Sequence, residues 1–474
     1  MTLEDMQRVL AEQKAAALQS LPVSLEVRKD RLNRLIALLV ENGEALVGAM
    51  SKDFGHRSPE QSWMTDIIAP IKAAKHALKH MGGWMRPEKR PLQFPLGLLG
   101  ARSQIEYQPK GVVGVIVPWN FPVQLTYQVL SGVFAAGNRA MVKASEFTPV
   151  TSELMALLAN QYFTRDELFF VNGGPQVGQA FSSLAFDHLI FTGATGVGRH
   201  IMRAAANNLT PVTLELGGKS PVIVGRSADM NAAAARVALG KTLNAGQICL
   251  APDYMLVPRE REGEWVESFS RSVREMYPTM LCNPDYTSIV NSRHRQRLRG
   301  YLDDAAAKGG KVVEINPAGE DFASSDGNKM PVYVVRNPND SMQVMQEEIF
   351  GPILPVVTYD QVDEAIGYVN DRDRPLGLYY FGQDSGEQRK VLDTTVSGGA
   401  TVNDVLFHIT SEDLPFGGVG PSGMGSYHGI EGFRTFSHAK SVYSQPKINV
   451  AKLAGLLPPY GKTTRATIKR EARR

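Results

Sequence analysis

The chain contains two cysteines, and only Cys249 lies in a segment whose residues suggest covalent chemistry. It stands in Asn244-Ala-Gly-Gln-Ile-Cys249-Leu-Ala-Pro252, after a long helical pattern and before an extended run that begins at Asp253. At such a junction a thiol can face a cleft while its own backbone N–H points the same way, which suits a nucleophile. Cys282 lies in a turn-rich stretch and is predicted to be a small buried hydrophobe. That structural role stays open for Cys249 unless the chain also supplies a base, an oxyanion donor and a cofactor site.

Length and composition place the chain among ordinary globular proteins. With 474 residues, 43% hydrophobic and 21% charged, it is expected to form two or three domains, which excludes disordered and fibrous classes. Two cysteines cannot form a disulfide framework, so a reducing compartment is expected. The N-terminus lacks the pattern of a signal peptide, and the longest apolar run, Gly111–Val117, is too short to span a bilayer. We therefore expect a cytoplasmic protein without a membrane anchor.

The charge is unevenly distributed along the chain. The whole carries +3, but residues 445–474 contain eight cations and one carboxylate, a balance of +7, which leaves −4 for the rest. A basic tail of this kind can bind nucleic acid or an anionic membrane surface. Because no RNA-binding aromatic motif and no zinc-finger spacing accompanies it, we expect a solvated tail and no nucleic-acid partner.

After a mainly helical stretch over residues 1–90, apolar runs alternate with helical patterns from Gly111 onward. Four strand–helix units at this spacing predict an α/β fold with a parallel sheet and helices on both faces. The predicted strands are Gly111–Val117, Ala140–Lys143, Leu168–Val171 and His188–Phe191, and the predicted helices are Val123–Ala136, Thr151–Tyr162, Gln176–Ala185 and Gly196–Asn207. Such sheets bind ligands beyond the carboxyl ends of their strands.

A second alternating set follows the short strand Pro211–Leu216 and predicts another α/β domain, with a cleft between the two domains. Its strand candidates are Pro221–Val224, Tyr254–Val257, Val332–Val335, Ile353–Tyr359, Leu378–Phe381 and Ala400–Asn403. Two further extended segments, Ala101–Pro109 and Phe436–Tyr443, are predicted to pair as a small arm for oligomer contacts.

A glycine-rich turn connects the fourth predicted strand to its helix. The segment Thr192-Gly193-Ala-Thr195-Gly196-Val-Gly198 is a loose variant of the dinucleotide-binding fingerprint, and its helix N-terminus suits a pyrophosphate. At the end of the second strand, Lys143 and Glu146 are placed near an adenosine ribose, where a carboxylate favours NAD over NADP. Separately, the turn fits a structural role and the Lys143–Glu146 pair fits an exposed ion pair. Together they predict a dinucleotide site.

Seven motifs taken together resemble the NAD(P)-dependent aldehyde dehydrogenase family over most of the chain. They occur in the family's order and at its spacing: Pro118-Trp119-Asn120-Phe121-Pro122, Lys143-Ala-Ser-Glu146, Phe191-Thr-Gly-Ala-Thr195, Leu214-Glu215-Leu-Gly-Gly-Lys-Ser-Pro221, Gly246-Gln-Ile-Cys249, Glu347-Glu348-Ile-Phe350-Gly-Pro352 and Pro415-Phe-Gly-Gly-Val-Gly-Pro-Ser-Gly423. The Gly-Gly-Lys-Ser-Pro segment and Val402-Asn-Asp-Val405 are similar to the class 3 branch. Within that branch, residues 432–443 are similar to the bacterial coniferyl aldehyde dehydrogenase group.

The resemblance implies the family's architecture: a Rossmann-type parallel-sheet cofactor domain, an α/β catalytic domain and a small oligomerisation arm. It assigns residues 1–95 and 110–213 to the cofactor domain and 214–405 to the catalytic domain. Residues 96–109 and 430–474 form the arm and tail, while 406–429 return to the cofactor side. A homodimer built through the late strand is expected.

The resemblance also implies the reaction, which is oxidation of an aldehyde to its acid through a thiohemiacetal and a thioester on Cys249. The side-chain amide of Asn120 and the backbone N–H of Cys249 are expected to stabilise the oxyanion. Glu215 is expected to activate the water that hydrolyses the thioester, which requires burial to raise its pKa. We therefore predict that Glu215 is poorly solvated.

NAD is the expected cofactor, with NADP as the alternative because Ala194 stands where many relatives have a phosphate-contacting serine. Glu348 is expected to clamp the nicotinamide ribose, although a role in base chemistry stays open for it, and Phe350 is expected to contact the ring. The other assigned cofactor residues are Trp119, Lys143, Glu146, Gly193, Thr195, Gly198 and Leu216. The histidines show no metal-binding spacing, so no metal is expected.

The small-molecule substrate is expected to be an aromatic aldehyde of cinnamyl type, such as coniferyl aldehyde, with medium-chain aliphatic aldehydes as the alternative. Leu125, Tyr427 and His428 are candidates for the wall of its tunnel. Three other classes are less consistent with the residues. A CoA-acylating enzyme needs no water-activating carboxylate, a simple thiol esterase needs no nucleotide motifs, and a purely structural protein has no need of the Cys249, Asn120 and Glu215 set.

Overall fold

The computed structural model describes residues 1–94 and 96–473, so Pro95 and Arg474, where two predicted segments end, lie outside the described residues. The α-helices are α1 (Leu3–Gln19), α2 (Leu25–Glu41), α3 (Gly43–Phe54), α4 (Pro59–Ser62), α5 (Ala69–Trp84), α6 (Pro122–Ala135), α7 (Pro149–Tyr162), α8 (Pro175–Ser182), α9 (Thr195–Ala206), α10 (Met230–Thr242), α11 (Glu262–Met276), α12 (Ser292–Ala307), α13 (Gln343–Gln346), α14 (Val362–Asn370), α15 (Ser385–Thr394), α16 (Gly429–Thr435), α17 (Val450–Leu453) and α18 (Lys462–Glu471). A π-helical turn, Trp63–Ile68, joins α4 to α5, and 3₁₀ turns span Leu243–Gly246, Arg259–Arg261 and Phe407–Thr410.

The strands form three sheets. They are β1 (Glu88–Lys89), β2 (Arg102–Pro109), β3 (Val112–Ile116), β4 (Arg139–Lys143), β5 (Leu168–Val171), β6 (His188–Gly193), β7 (Val212–Leu216), β8 (Pro221–Val224), β9 (Tyr254–Pro258), β10 (Lys311–Ile315), β11 (Val332–Arg336), β12 (Ile353–Tyr359), β13 (Gly377–Phe381), β14 (Gly399–Val402), β15 (Gly423–Met424) and β16 (Ser437–Ser444).

The first large sheet has six strands in the order β15-β7-β6-β3-β4-β5. All neighbours are parallel except β15, which pairs antiparallel with β7, so the predicted parallel sheet is confirmed. The chain adds β4 and β5 on one side of β3, and then β6 and β7 on the other. A crevice opens where the strand order reverses, at the carboxyl ends of β3 and β6, and it is the ordinary ligand site of such a sheet.

The second large sheet has seven strands in the order β10-β11-β12-β9-β8-β13-β14. Its strands are parallel except for β10, which pairs antiparallel with β11 at the edge. Cys249 shortly precedes β9, Glu348 precedes β12 and Leu376 precedes β13. Because these strands are parallel, the three residues lie at the same amino-terminal edge of the sheet.

The predicted arm is confirmed as a pairing of strands. The late strand β16 pairs antiparallel with β2 from Ser437 opposite Pro109 to Ser444 opposite Arg102, and β1 pairs with the other side of β2. Contacts between copies of the chain through this arm stay a prediction.

Packing explains why the first sheet can hold a site rigidly. Helix α6 follows β3 and is buried along nearly its whole length, in one core with α2, α5 and β4. The domain boundary expected after residue 213 stays a prediction. It falls within β7, whose residues Val212–Leu216 pair with β6.

Among residues 1–94 and 96–473, no helix has the length and hydropathy needed to cross a bilayer.

Candidate active site

A cavity of about 700 Å³ lies between the carboxyl edge of the six-stranded sheet and the amino edge of the seven-stranded sheet. Its wall brings together residues from both edges that the sequence predicted for catalysis and cofactor binding. They are Trp119, Asn120, Gly193, Glu215, Leu216, Cys249, Glu348 and Phe350. Lys143, Glu146, Thr195 and Gly198 lie outside this wall. The predicted nucleophile, oxyanion donor and base therefore share one cavity.

Cys249 is half-buried at the end of an unusual turn. Asn244, Ala245 and Gly246 have φ values of 51°, 51° and 73°, all left-handed. For Ala245 this conformation costs about 1–2 kcal/mol, so neighbouring contacts must stabilise the turn. Burial raises the pKa of the Cys249 thiol to about 12, and the nearby carboxyl groups of Glu348 and Glu215 add to the rise. Without bound ligands, the thiol is therefore protonated at neutral pH.

We expect iodoacetamide to alkylate Cys249 slowly near pH 7 and progressively faster towards pH 10, because the thiolate is the reacting form and its fraction rises with pH below the pKa. The rate is measured by mass spectrometry in the Cys282→Ser variant, where Cys249 is the remaining thiol. An alkylation rate that already levels off near pH 7 would contradict the effect of burial on this pKa.

Glu215 is the penultimate residue of β7, and its side chain points into the cavity wall. It is 3% exposed, so the prediction of poor solvation is confirmed. Neither carboxylate oxygen has a hydrogen-bond partner within the described part of the chain. Burial raises the pKa of Glu215 well above its usual value. A buried carboxyl in a cleft, with a raised pKa and no partner, is a candidate general base.

Asn120 lies between β3 and α6 and is 3% exposed. Its Nδ2 donates to the backbone carbonyl of Gln247 at 3.2 Å, which directs the amide towards the Cys249 loop. The amide has a second N–H, which can donate to another acceptor. The start of α6 is held by buried Asp66, whose Oδ1 accepts from the N–H groups of Val123 at 3.3 Å and Gln124 at 3.2 Å.

Glu348 and Phe350 lie on a loop beside Cys249. Glu348 Oε1 is buried, and no described residue donates a hydrogen bond to it. Burial, with a smaller effect of Asp253, raises the pKa of Glu348 to about 8. Phe350 meets Trp119 edge to face, with ring centroids 5.3 Å apart. The unpartnered Oε1 of Glu348 and the two rings form a surface suited to a ribose and a flat heterocycle.

The predicted nucleotide turn has the geometry of an anion site. Helix α9 begins at Thr195, and its N-cap is Ala194, which has no side-chain oxygen to accept from the first N–H groups of the helix. These N–H groups and the helix dipole are therefore available to a pyrophosphate. A Cβ on Gly198 would lie 2.7 Å from Leu216 Cδ2, so this glycine lets α9 pack closely on β7.

Lys143 and Glu146 lie at the carboxyl end of β4, near the same crevice. The Lys143 ammonium donates to the carbonyl of Ala144 at 2.6 Å and lies 3.4 Å from the Glu146 carboxylate. Lys143 is buried, whereas Glu146 is exposed. The exposed carboxylate is accessible to ribose hydroxyls. These features together fit a dinucleotide bound across the carboxyl edge of the sheet.

Comparison with known proteins agrees with this geometry. The profile described as "Aldehyde dehydrogenase family" matches residues 1–442.

The chain belongs to the aldehyde dehydrogenase family.

Individual proteins similar to this aldehyde dehydrogenase extend the match. A probable coniferyl aldehyde dehydrogenase of Caulobacter vibrioides is 57% identical over 461 residues, which cover 97% of this chain and 95% of the relative. A substrate-bound structure of Staphylococcus aureus AldH is 35% identical, covers 99% of each chain and has a TM-score of 0.91. A structure of PnpE, from Pseudomonas sp. WBC-3, in complex with nicotinamide adenine dinucleotide is 27% identical, covers 95% of this chain and 91% of that chain, and has a TM-score of 0.85. The expected fold and enzyme class are confirmed.

The far side of the cavity in this aldehyde dehydrogenase is mostly apolar. Leu125 and Tyr427 line it, as predicted. His428 does not; it lies behind the wall, with its ring centroid 4.9 Å from that of Phe416 and a contact of 3.1 Å to Gln128. Sequence reasoning missed the other members of this surface, which include Met64, Leu243, Leu406, Phe407, Ile409 and Thr410. They come from separate segments without a shared motif.

Three charged residues that position the Glu348 loop were also missed. Lys219 pairs with Asp253 and donates to the carbonyls of Val344 and Glu347. Asp253 accepts from the N–H of Ile349 at 2.9 Å, and Arg297 donates to the Ile349 carbonyl at 2.9 Å. Lys219 lies within the motif Leu214–Pro221, and Asp253 directly follows the Cys249 segment, which ends at Pro252. Their closeness to these segments was the signal that could have identified them.

Cys282 differs from its prediction. It was expected to be a small buried hydrophobe, but this interpretation is wrong because the side chain is exposed. The turn Cys282-Asn-Pro-Asp285 holds it at the surface, outside the cavity wall.

Proposed function

We propose that this aldehyde dehydrogenase oxidises an aromatic aldehyde of cinnamyl type, such as coniferyl aldehyde, to the carboxylic acid with NAD. The observation that carries the proposal is the single cavity in which Cys249, Asn120 and Glu215 meet residues of the nucleotide turn. The name of the Caulobacter relative supports the substrate class.

Cys249 is proposed as the nucleophile. The thiol first releases its proton to solvent water, the thiolate sulfur then forms a bond to the aldehyde carbon, and the carbonyl π electrons move to the oxygen. The resulting oxyanion needs preorganised donors, which Asn120 Nδ2 and the backbone N–H of Cys249 supply in this proposal. One such donor typically contributes about 2.7–4 kcal/mol to transition-state stabilisation.

Glu215 is proposed as the base for hydrolysis of the Cys249 thioester. It takes a proton from water while the water oxygen attacks the acyl carbon, and the sulfur leaves as thiolate. Burial raises the pKa of Glu215 above that of a solvated carboxyl, which makes its carboxylate a stronger base. Because a carboxyl accepts a proton only when ionised, the hydrolysis rate is expected to increase with pH.

The residues of the carboxyl edge fit the proposed NAD site. The N–H groups at the start of α9 would hold the pyrophosphate, the Glu146 carboxylate would accept from the adenosine ribose, and Glu348 would accept from the nicotinamide ribose. Phe350 and Trp119, whose rings pack edge to face, would contact the nicotinamide ring. When bound, NAD supplies the acceptor for the aldehyde hydride and a positive ring that favours the nearby thiolate. The carboxylate of Glu146 disfavours the extra phosphate of NADP by charge repulsion.

The apolar half of the cavity favours a flat ring over a charged substrate. Leu125, Leu243, Ile409 and Phe416 provide apolar surface, and Phe407 is 56% exposed beside them. In this proposal, a conjugated phenylpropenal places its ring among these side chains and its carbonyl carbon at Cys249. A medium-chain aliphatic aldehyde fits the same surface but loses more conformational freedom when it binds.

An aldehyde panel tests the substrate class. We expect kcat/KM with NAD to be about 10- to 100-fold higher for coniferaldehyde than for octanal, because the rigid ring fills the apolar surface. Benzaldehyde is the matched control, since it carries the ring without the propenal spacer. The same panel run with NADP is expected to give lower kcat/KM values throughout. If octanal is turned over as efficiently as coniferaldehyde, the medium-chain aliphatic aldehydes replace the aromatic aldehydes as the proposed substrate class.

We further propose the division of the chain that the sequence suggested, with residues 1–95 and 110–213 on the cofactor side, 214–405 on the catalytic side and the β2–β16 arm between copies of a homodimer. The exposure of much of β16 supports the arm as a contact surface. The two unpaired thiols support a reducing compartment, and we propose the cytoplasm.

A further inference from the structure

The turn that precedes Cys249 contains a buried polar side chain, that of Asn244, which hydrogen-bonds to three other residues. The residue is fully buried, and it is the first of the three left-handed residues Asn244, Ala245 and Gly246. Asparagine tolerates this backbone region better than most residues, which explains its place in the turn. Its side-chain contacts, however, extend beyond the turn itself.

The Asn244 amide links the loop that leads to Cys249 with the segment between β3 and α6 that contains Asn120. Its Nδ2 donates to the backbone carbonyl of Asn120 at 3.1 Å and to the carbonyl of Gln247 at 3.2 Å. Asn120 Nδ2 donates to the same Gln247 carbonyl at 3.2 Å. Three short contacts therefore fix the distance between Asn120, on the six-stranded sheet side, and the loop before β9.

Gln61 holds the Asn244 amide in the required orientation. Its Nε2 donates to Asn244 Oδ1 at 3.3 Å, and its Oε1 accepts from the Asn244 backbone N–H at 2.8 Å. Gln61 belongs to α4 and is 6% exposed. With Oδ1 engaged by Gln61, the Nδ2 group of Asn244 is directed at the two carbonyls.

We propose that Asn244, held by Gln61, is a positioning residue that keeps the Asn120 amide at oxyanion distance from Cys249. The inference rests on the proposed function, in which Asn120 stabilises the oxyanion. Asn244 itself does not contact the reacting atoms; it acts through Asn120 and the Gln247 carbonyl.

The first test is Asn244→Gly, which keeps the left-handed backbone accessible and removes only the bridging amide. We expect kcat for aldehyde oxidation to fall by up to about 100-fold, as for a catalytic group displaced by about 1 Å, with KM for NAD unchanged. The matched control is Asn337→Gly, since Asn337 has the same φ of 51° but is exposed and does not line the cavity. That control is expected to retain the wild-type rate. An Asn244→Gly enzyme that also retains the wild-type kcat would overturn the proposal.

A double-mutant cycle separates positioning from general stabilisation of the fold. In an Asn120→Ala background, Asn244→Gly is expected to lower kcat by less than about threefold further, because the group it positions is gone. The same large factor in both backgrounds would assign Asn244 a merely structural role. If Asn120→Ala alone leaves kcat unchanged, the proposed oxyanion role of Asn120 fails instead, so the two failures are distinguishable.

Gln61→Ala provides a second variant outside the strained turn, in case Asn244→Gly does not fold. It is expected to lower kcat in the same direction by a smaller factor, and to do so only while Asn120 is present. An unchanged kcat in a folded Gln61→Ala enzyme would contradict the proposal that Gln61 holds the Asn244 amide in its orientation.

Discussion

Cys249→Ala is expected to lower aldehyde-dependent NADH formation by roughly 10⁴- to 10⁶-fold, the largest effect of any single substitution in this chain. Alanine keeps the small size of the side chain but removes the atom that would bond to the substrate carbon. Asn120 and Glu215 would remain in place, yet neither can form the covalent adduct in its stead. The measurement is the absorbance of NADH under saturating coniferaldehyde and NAD.

The loss of activity in Cys249→Ala should come from the missing thiol and not from weaker NAD binding or a less stable fold. The Cys249→Ala enzyme is expected to bind NAD with wild-type affinity and to unfold at the wild-type temperature, because the side chain is only half-buried and small. Cys282→Ser is the matched control, since it removes the other thiol, which is exposed. It is expected to keep the wild-type rate. Substantial turnover by Cys249→Ala, or a large loss in Cys282→Ser, would reassign the nucleophile.

The second large effect is expected for Glu215→Gln. In the proposed mechanism the first half of the reaction does not need this carboxylate, so a rapid burst of about one NADH per active site should remain. The thioester should then accumulate, and the steady-state rate should fall by roughly 10²- to 10⁴-fold, the usual contribution of a general base. Stopped-flow absorbance gives the burst, and intact-protein mass spectrometry detects the acyl group on Cys249.

The pH dependence gives an independent readout of the same residue. Burial raises the pKa of Glu215, so the carboxyl is protonated below that pKa and cannot accept a proton from water. The wild-type steady-state rate should therefore rise with pH, and this rise should be lost in the residual activity of Glu215→Gln. Glu348→Gln serves as the comparison, because Glu348 is a second buried carboxyl in the same wall. A Glu348 variant that stalls after the burst, beside an unaffected Glu215 variant, would move the base to Glu348.

Much of the fold was predictable because buried parallel strands leave a clear pattern. The runs at Leu168–Val171 and Pro221–Val224 were predicted with their observed bounds, since they are apolar on both faces and flanked by turn residues. The edge strand β10 was missed because it is half-exposed and carries Lys311 and Glu314. The two-residue strand β15 is too short to produce a periodic signal.

The site was predictable only where its residues lie in motifs. Glu215 and Cys249 are 34 positions apart, yet each was found within its own segment. The contacts that support them are not local. Gln61 and Asn244 are separated by 183 positions and Arg297 and Ile349 by 52, and a single sequence contains no sign of such pairs. The left-handed conformation of Asn244 was equally invisible, because most asparagines in turns, caps and loops have negative φ, and the residue type alone does not mark the exceptions.

The 3₁₀ turn Phe407–Thr410 has a consequence for how this enzyme can diversify. Phe407, Ile409 and Thr410 of this turn line the apolar side of the cavity, but none belongs to a strand or to the set formed by Cys249, Asn120 and Glu215. Phe407 is largely exposed, so replacing it removes little packing from the core. If the proposed substrate site is right, new aldehyde preferences can therefore arise at Phe407 by single substitutions that alter neither folding nor bond chemistry. In evolutionary terms, the choice of substrate is a separable trait, carried on a segment that tolerates change.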